Sequence, residues 1–370
     1  MLHRAVIALL ISSALLGYGQ DSPAHKEAQK KIEEGAYREA KEMLTKAIDR
    51  NPKDEVALNL RGQARVGLED FYGAISDFTF ALEIDSSYAE VYNYRAEVKI
   101  ALGDDYDAIE DLDKAIALNP KYADAYTNRG FAKYNLDELQ EAYFDFSKAL
   151  EVGPADVDKY FNRGVVKAEL GEFVSAIDDY TKAIELDKND ASLYNYRGVA
   201  YYSTDAVDKA IEDYNQAIKL DPEDPLKFEN RALARSVKED LKGALEDYDK
   251  SIELDSEDPE TFNLRGVLKY TMEDFEGAIA DYTSAIDLDP TNPTYYDNRA
   301  LSKTEIEDYA GALEDYTSSI EIYPSDPETF YQRGLIKLTM NNNYDGCLDL
   351  KHALDLGSVD AKSVIKKNCK

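Results

Sequence analysis

The sequence predicts an all-α protein in which helical hairpins stack into a solenoid, and three observations support this prediction. An Arg-Gly or Arg-Ala dipeptide recurs at intervals of 34 residues. A small residue follows each of these arginines 13 positions later. Within each period, apolar residues follow helical spacing in two runs separated by a break. One period therefore encodes two helices joined by a turn.

The register of this repeat does not slip along the chain. The small residues at the later site are Ala74, Ala108, Ala142, Ala176, Ala210, Ala244, Ala278, Ala312 and Gly346. One period before the first arginine, Ala28 and Ala40 stand at the two small sites, so a degenerate copy precedes the others. We predict ten repeats, numbered 1 to 10 below, at residues 21–54, 55–88, 89–122, 123–156, 157–190, 191–224, 225–258, 259–292, 293–326 and 327–360.

Repeat 3 shows how one hairpin is encoded. Its first apolar run ends at Gly103 and its second at Asn119-Pro120, which are residues that stop helices. Ala96 in the first run and Ala108 in the second have small side chains, so two antiparallel helices can approach closely. Because one hairpin cannot bury both of its faces, neighbouring hairpins must stack.

Six positions of each repeat carry a recognisable pattern, which is aromatic, Gly or Ala, Ala, aromatic, Ala and Pro. In repeat 4 these residues are Tyr126, Gly130, Ala142, Phe146, Ala149 and Pro154. In repeat 8 they are Phe262, Gly266, Ala278, Tyr282, Ala285 and Pro290. In this pattern the chain resembles the tetratricopeptide repeat family. The departures at the proline position, which affect only the exits of hairpins, are Ser86, Lys188, Ser256 and Ser358.

The resemblance implies a right-handed superhelix with a concave groove that binds peptides or protein segments. In similar proteins the groove is lined mainly by the first helix of each repeat, at positions 2, 5, 9, 12 and 13 counted from the start of the repeat. We call these positions the groove face. The chaperone adaptors of the family hold a terminal carboxylate with Lys, Asn and Arg in this groove. Here the corresponding positions hold Asn, Asp, Glu and aromatic residues, so that function is not carried over.

The groove face of repeats 2 to 10 contains acids, amides and aromatic residues but no Lys or Arg. The residues that we expect to contact a partner are Asn59, Glu90, Asn93, Glu97, Asp124, Phe131, Tyr134, Asp158, Phe161, Asn195, Tyr202, Glu229, Glu260, Asn263, Tyr270, Asp297, Glu328 and Tyr331. Such a surface favours an extended cationic or neutral polypeptide, whose backbone groups the asparagines can satisfy. The alternative is that the acids only keep a long solenoid soluble.

The overall charge argues against polyanionic partners. The chain of 370 residues has 74 acidic and 43 basic side chains, with a net charge of -31. Nucleic acids and anionic membrane surfaces are bound through clustered Lys and Arg, and the sequence has no such cluster. We therefore expect other proteins or peptides as partners. The apolar content of 44% also excludes a disordered polyanion.

Residues 1–19 are typical of a secretory signal peptide. His3 and Arg4 precede an apolar run at residues 5–16, and Gly17 and Gly19 favour cleavage nearby. The alternative is an uncleaved membrane anchor, but a bilayer span needs about 20 apolar residues. We predict an exported protein, either periplasmic or secreted.

A second periodic pattern pairs basic with acidic residues. The arginines of the dipeptide are Arg61, Arg95, Arg129, Arg163, Arg197, Arg231, Arg265, Arg299 and Arg333. Aspartates recur 16 residues after them, at Asp77, Asp111, Asp145, Asp179, Asp213, Asp247, Asp281, Asp315 and Asp349. Because the opposite charge recurs one for one, we expect structural ion pairs that lock hairpin to hairpin. The alternative is an anion-binding track.

The sequence gives no support for catalysis, a cofactor or a metal site. The three histidines, His3, His25 and His352, lie far apart in the repeat order, so they do not suggest a catalytic triad or a metal centre. We predict a non-enzymatic scaffold that recruits other proteins. Two alternatives remain open, an architectural spacer and a non-catalytic accessory subunit of an exported complex.

The two cysteines lie at the C-terminal end. We predict that residues 359–370 form a capping helix over the last hairpin and that Cys347 and Cys369 form a disulfide bond that fastens it. The alternative is two unpaired thiols.

Overall fold

The computed structural model describes residues 22–369, and every regular element in this range is an α-helix. The first helices of the repeats are Pro23–Glu33, Glu55–Val66, Ala89–Leu102, Ala123–Asn135, Val157–Glu169, Ala191–Ser203, Pro225–Val237, Pro259–Thr271, Pro293–Glu305 and Pro327–Thr339. The second helices are Tyr37–Arg50, Phe71–Ile84, Asp105–Leu118, Leu139–Val152, Phe173–Leu186, Val207–Leu220, Leu241–Leu254, Phe275–Leu288, Tyr309–Ile322 and Asn343–Asp355. The prediction of an all-α solenoid is confirmed. The expected signal peptide at residues 1–19 lies outside the described residues.

The helices belong to two compact bodies. The first body ends at Lys188 and holds the helices of repeats 1 to 5, and the second begins at Asn189 and holds those of repeats 6 to 10. In each body, the two helices of a repeat pack against one another and against the helices of neighbouring repeats. First helices also touch first helices, for example those of repeats 3 and 4 and those of repeats 8 and 9.

Glycines permit the close approach of the two helices within a hairpin. In repeat 8, a Cβ atom added to Gly266 would lie 2.6 Å from the ring of Tyr282. The same contact recurs between Gly198 and Tyr214 in repeat 6. The tyrosine rings at this site are almost wholly buried, so each one fills the space that the missing glycine side chain leaves.

Several helices begin at a residue whose side chain caps the first turn. Asp258 accepts hydrogen bonds from the backbone N–H groups of Glu260 and Thr261, and Pro259 occupies the first turn.

The turn between the two helices contains a residue in the left-handed conformation in most repeats. Gly103 has φ of 83° there, whereas Glu273 adopts φ of 63° at the corresponding site of repeat 8. A non-glycine residue is strained in this conformation by about 1 kcal/mol.

A final helix, Ala361–Asn368, covers the last hairpin. Its residues Val364 and Ile365 pack against a cluster that includes Phe330 and Leu350. Cys347 in the second helix of repeat 10 is joined by a disulfide bond to Cys369, with 5.6 Å between their Cα atoms. This helix therefore covers apolar surface of the hairpin formed by Pro327–Thr339 and Asn343–Asp355.

Candidate functional site

The nine arginines and nine aspartates of the periodic pattern form bidentate ion pairs. In each pair, Nε and Nη2 of the arginine donate to the two carboxylate oxygens over 2.5–2.9 Å. The aspartates are buried. Most of these arginines also lie over an aromatic ring three residues earlier, as Arg265 does over Phe262 with 5.7 Å to the ring centroid. Every one of these arginines except Arg61 therefore has both an ionic and an aromatic partner.

The location of these pairs corrects the expectation that they lock hairpin to hairpin. Each pair joins the first and second helices of the same repeat, because the two residues lie 16 positions apart. The link to the preceding hairpin is made in several repeats by the remaining nitrogen, Nη1. Arg265 Nη1 donates to Asp249 over 2.7 Å, and Arg299 Nη1 donates to Thr283 over 3.0 Å.

A second cation approaches most of these aspartates. Lys99 Nζ lies 2.8 Å from Asp111 Oδ2, and Lys or Arg takes this place in every repeat from 2 to 10 except repeat 6, which has Tyr201. Burial alone would raise the pKa of Asp111, but hydrogen bonds from Arg95 and Lys99 outweigh it and hold the pKa below its usual value. These cations are engaged by internal carboxylates, which favours ion pairs over an anion-binding track.

Five of the residues expected on the groove face are buried. These residues are Asn59, Asn93, Glu97, Asn195 and Asn263. Asn59 accepts a hydrogen bond from Gln63 of its own helix, and the other four bond to side chains of their own or the next first helix. Little of their surface is therefore open to a partner. At position 5 of repeats 3, 6 and 8, the amide pairs with a side chain of the next repeat.

The partners of these amides are asparagines that the sequence reasoning missed. Asn128 Nδ2 donates to Asn93 Oδ1 over 2.9 Å, and Asn298 Nδ2 donates to Asn263 Oδ1 over 2.9 Å. Asn230 makes the same bond to Asn195 over 3.0 Å. Each donor directly precedes an arginine of the ion-pair set, so the recurrence of Asn-Arg was the available signal.

The other expected groove residues keep part of their surface open. The acids are Glu90, Asp124, Asp158, Glu229, Glu260, Asp297 and Glu328, of which Asp158, Glu260 and Glu328 are the most exposed. The aromatic residues, all partly buried, are Phe131, Tyr134, Phe161, Tyr202, Tyr270 and Tyr331. Several of these rings also pack on the second helix, as Phe131 does edge-on against Phe146 with 5.4 Å between centroids. The acids and rings therefore share the first helices within each body.

Full or partial burial raises the pKa of several groove acids. Burial raises the pKa of Glu97 to about 7, although hydrogen bonds from Asn128 and Asn93 act in the opposite direction. Burial also raises the pKa of Asp297 to about 6. It raises the pKa of Asp124 as well, where the charge of Lys159 opposes the shift. This lysine bonds to Asp156 and to the carbonyl oxygen of Pro154, so it is already engaged.

Comparison with known families agrees with this repeat geometry. Models of the tetratricopeptide repeat match residues 191–224 and 259–292, and a TPR repeat model matches residues 97–137 and 166–205. The matches fall in both bodies and coincide with the observed helix pairs. The chain belongs to the tetratricopeptide repeat family. Proteins of this family are generally non-catalytic scaffolds that bind other proteins or peptides.

Solved structures show the same fold. A TPR protein from Parabacteroides merdae has a TM-score of 0.51 at 20% identity, covering 66% of this chain and 96% of that one. The APC/C hetero-tetramer Cut9–Hcn1 has a TM-score of 0.50 at 14% identity, covering 94% of this chain and 89% of that one. YrrB, a TPR protein with an unusual peptide-binding site, has a TM-score of 0.45 at 27% identity, covering 48% and 92%. No curated protein sequence matches the chain significantly.

The part of the TPR protein that the structure describes shows neither a metal site nor a membrane-spanning helix. Among residues 22–369, no group of three or more His, Cys, Asp or Glu side chains is arranged to hold a metal ion. None of the helices described there has the length and apolar character that crossing a membrane requires.

Proposed function

We propose that this TPR protein is an exported, non-enzymatic scaffold that binds extended polypeptide segments, cationic or neutral, along the groove face of its first helices. The observation that supports this most is the unequal distribution of acidic and basic residues on the first helices. Ten acids and no Lys or Arg occupy the groove-face positions of repeats 2 to 10, while the basic residues of the same helices at positions 7 and 11 are bound to internal aspartates.

Uncompensated carboxylates on a protein surface attract positive charge. Glu260 and Glu328 are exposed on the first helices. The side chains that bond to them, Asn263 and Tyr295 to Glu260 and Gln332 to Glu328, are uncharged. Such a field speeds the association of cationic segments and repels anionic ones. The half-buried rings of Tyr134, Phe161 and Tyr202 add contact area, and they stack favourably on Lys or Arg.

Export is part of the same proposal. The apolar segment at residues 1–19 would direct the chain out of the cytoplasm. A disulfide bond between Cys347 and Cys369 persists in oxidising compartments but not in the cytosol. Expression of the full chain followed by fractionation and N-terminal sequencing tests this part. A chain that stays in the cytosol with its first residue intact would contradict export.

Charge reversal in the first body tests the groove. The double variant Asp124→Lys and Asp158→Lys should lose binding to a soluble peptide built of alternating Lys, Ser and Ala, while it keeps its fold by circular dichroism. The matched control reverses two exposed acids on second helices, Glu110→Lys and Glu141→Lys, which changes the net charge equally. The control should bind almost as the unaltered protein does. Equal loss in both variants would indicate a general charge effect and contradict the proposal.

A further inference from the structure

Two buried polar atoms of the second body lack a hydrogen-bond partner. They are Oδ1 of Asp297, in the first helix of repeat 9, and the phenolic oxygen of Tyr316, in the second helix. Tyr316 is only 1% exposed, and the charge of Asp297 helps to raise its pKa, so the two groups act on one another. Buried polar atoms are nearly always paired, and an unpaired one costs about 1–3 kcal/mol.

Repeat 7 provides an internal comparison for Asp297. Glu229 occupies the same position 5, and its Oε1 accepts hydrogen bonds from Ser251 and Thr261, each over 2.7 Å. Asp297 is one methylene shorter, and its Oδ2 accepts a longer bond of 3.2 Å from Thr329. The surrounding hydroxyls therefore satisfy the glutamate but leave one oxygen of the aspartate unpaired.

The charges near Asp297 have the same sign as its own. Burial raises the pKa of Asp297 to about 6, the carboxylates of Asp326 and Glu328 contribute, and the hydroxyls of Ser319 and Thr329 oppose the shift. By contrast, Asp315 on the second helix of the same repeat is bound by Arg299 and Lys303, each over 2.7 Å. Asp297 thus lies in a negative site with unsatisfied acceptors.

We propose that Asp297 and Tyr316, together with the neighbouring ring of Tyr270, form a pocket for one lysine side chain of the segment bound on the groove face. This inference rests on the proposed function. An ammonium group donates three hydrogen bonds in adjustable directions, which suits one carboxylate oxygen and one phenolic oxygen. A guanidinium group prefers two free oxygens of one carboxylate, and Oδ2 already accepts from Thr329. Tyrosine rings favour the cation and its aliphatic stem.

Peptides that differ at one side chain test the pocket. The probes are acetylated and amidated peptides of sequence Ser-Ala-Gly-X-Gly-Ala-Ser, where X is Lys, Arg or norleucine, titrated calorimetrically at low salt into the full protein. The unaltered protein should bind the Lys peptide about tenfold more tightly than the norleucine peptide. The variant Asp297→Asn should lose this preference, whereas the matched control Glu314→Gln, which neutralises an exposed acid on the second helix of the same repeat, should keep it. Affinity for the Lys peptide should rise from pH 5 to pH 7 in the unaltered protein, because Asp297 ionises, but not in Asp297→Asn.

Several results would overturn the pocket. These are a Lys preference that survives Asp297→Asn, its loss in Glu314→Gln, tighter binding of the Arg peptide, or no binding of the Lys peptide. Failure of the pocket is distinguishable from failure of the proposed function, because the latter is tested by Asp124 and Asp158 in the other body. If charge reversal there weakens binding while Asp297→Asn does not, only the lysine pocket is wrong.

Discussion

At the scale of single residues, burial decides which charges are available to a partner. The aspartates of the ion-pair set are as buried as the apolar core, yet each accepts two bonds from an arginine, so their charge is compensated. Glu97 and Asp297 have only neutral donors. A carboxylate is therefore bound by a cation at one position and has only uncharged hydrogen-bond partners at another.

The ion pairs allow a matched test of stability. In repeat 6, Asp213 is bound by Arg197, and Tyr201 stands where other repeats have a second cation. Replacing Arg197 with Ala should cost about 3 kcal/mol, because it leaves a buried carboxylate unpaired. Replacing Arg299 with Ala should cost less, since Lys303 still binds Asp315. Chemical denaturation of both variants measures the difference. A loss under about 1 kcal/mol for Arg197→Ala would show that the pair is effectively solvated.

Glu97 should make stability depend on pH. Its pKa is about 7 in the folded protein against an ordinary value of 4.5, so the folded state binds the proton more tightly. Stability should therefore fall as the pH rises through this interval. Glu97→Gln should be more stable than the unaltered protein at pH 8, by roughly 3 kcal/mol, and little different at pH 4.5. Thermal unfolding at both values checks this, with the exposed Glu110→Gln as control. An identical pH profile in Glu97→Gln would refute it.

The sequence shows which positions of the first helices are polar or charged, but not which of these side chains face solvent. Asn93 and Asn263 were assigned to the groove because position 5 faces it in similar proteins. In this chain an asparagine at position 6 of the next repeat reaches across to them. Such pairing depends on the distance between adjacent first helices, which periodicity does not give. The ion pairs were predictable because their spacing of 16 residues is constant.

At the scale of helices and hairpins, the sequence predicts structure well. Gly and Pro mark helix ends, and small residues mark the contacts inside each hairpin, as Gly266 does against Tyr282. The left-handed turn residues were less evident, because Glu273 and Asp137 hold a conformation that glycine usually takes. Hairpin packing imposes this strain, and local propensity does not reveal it.

The C-terminal helix allows a test at this scale. The disulfide bond between Cys347 and Cys369 closes a loop with a sequence separation of 22, which should contribute roughly 3 kcal/mol to the last hairpin and its cap. Reduction, or the variant Cys369→Ser, should increase amide hydrogen exchange in residues 361–368 while distant repeats stay unchanged. Thiol titration of the unfolded, unreduced protein is the direct check. Two reactive thiols per chain would contradict the bond.

At the scale of the whole molecule, the division into two bodies was not predictable. The 34-residue period runs through Lys188 and Asn189 without a change of register, so the sequence reads as one continuous array. The charge distribution was predictable, because the groove-face positions exclude Lys and Arg in every repeat from 2 to 10. This exclusion is the basis of the proposed function.

The salt dependence of peptide association tests this central claim most directly. Association of the peptide in which Lys, Ser and Ala alternate should slow as salt rises from 20 to 500 mM. Over this range the Debye length falls from about 20 Å to about 4 Å, which weakens the attraction of the groove acids for the peptide. Asp124→Lys with Asp158→Lys should flatten this dependence, and Glu110→Lys with Glu141→Lys should leave most of it. Association that does not change with salt, and that survives the groove reversal, would contradict an electrostatic groove.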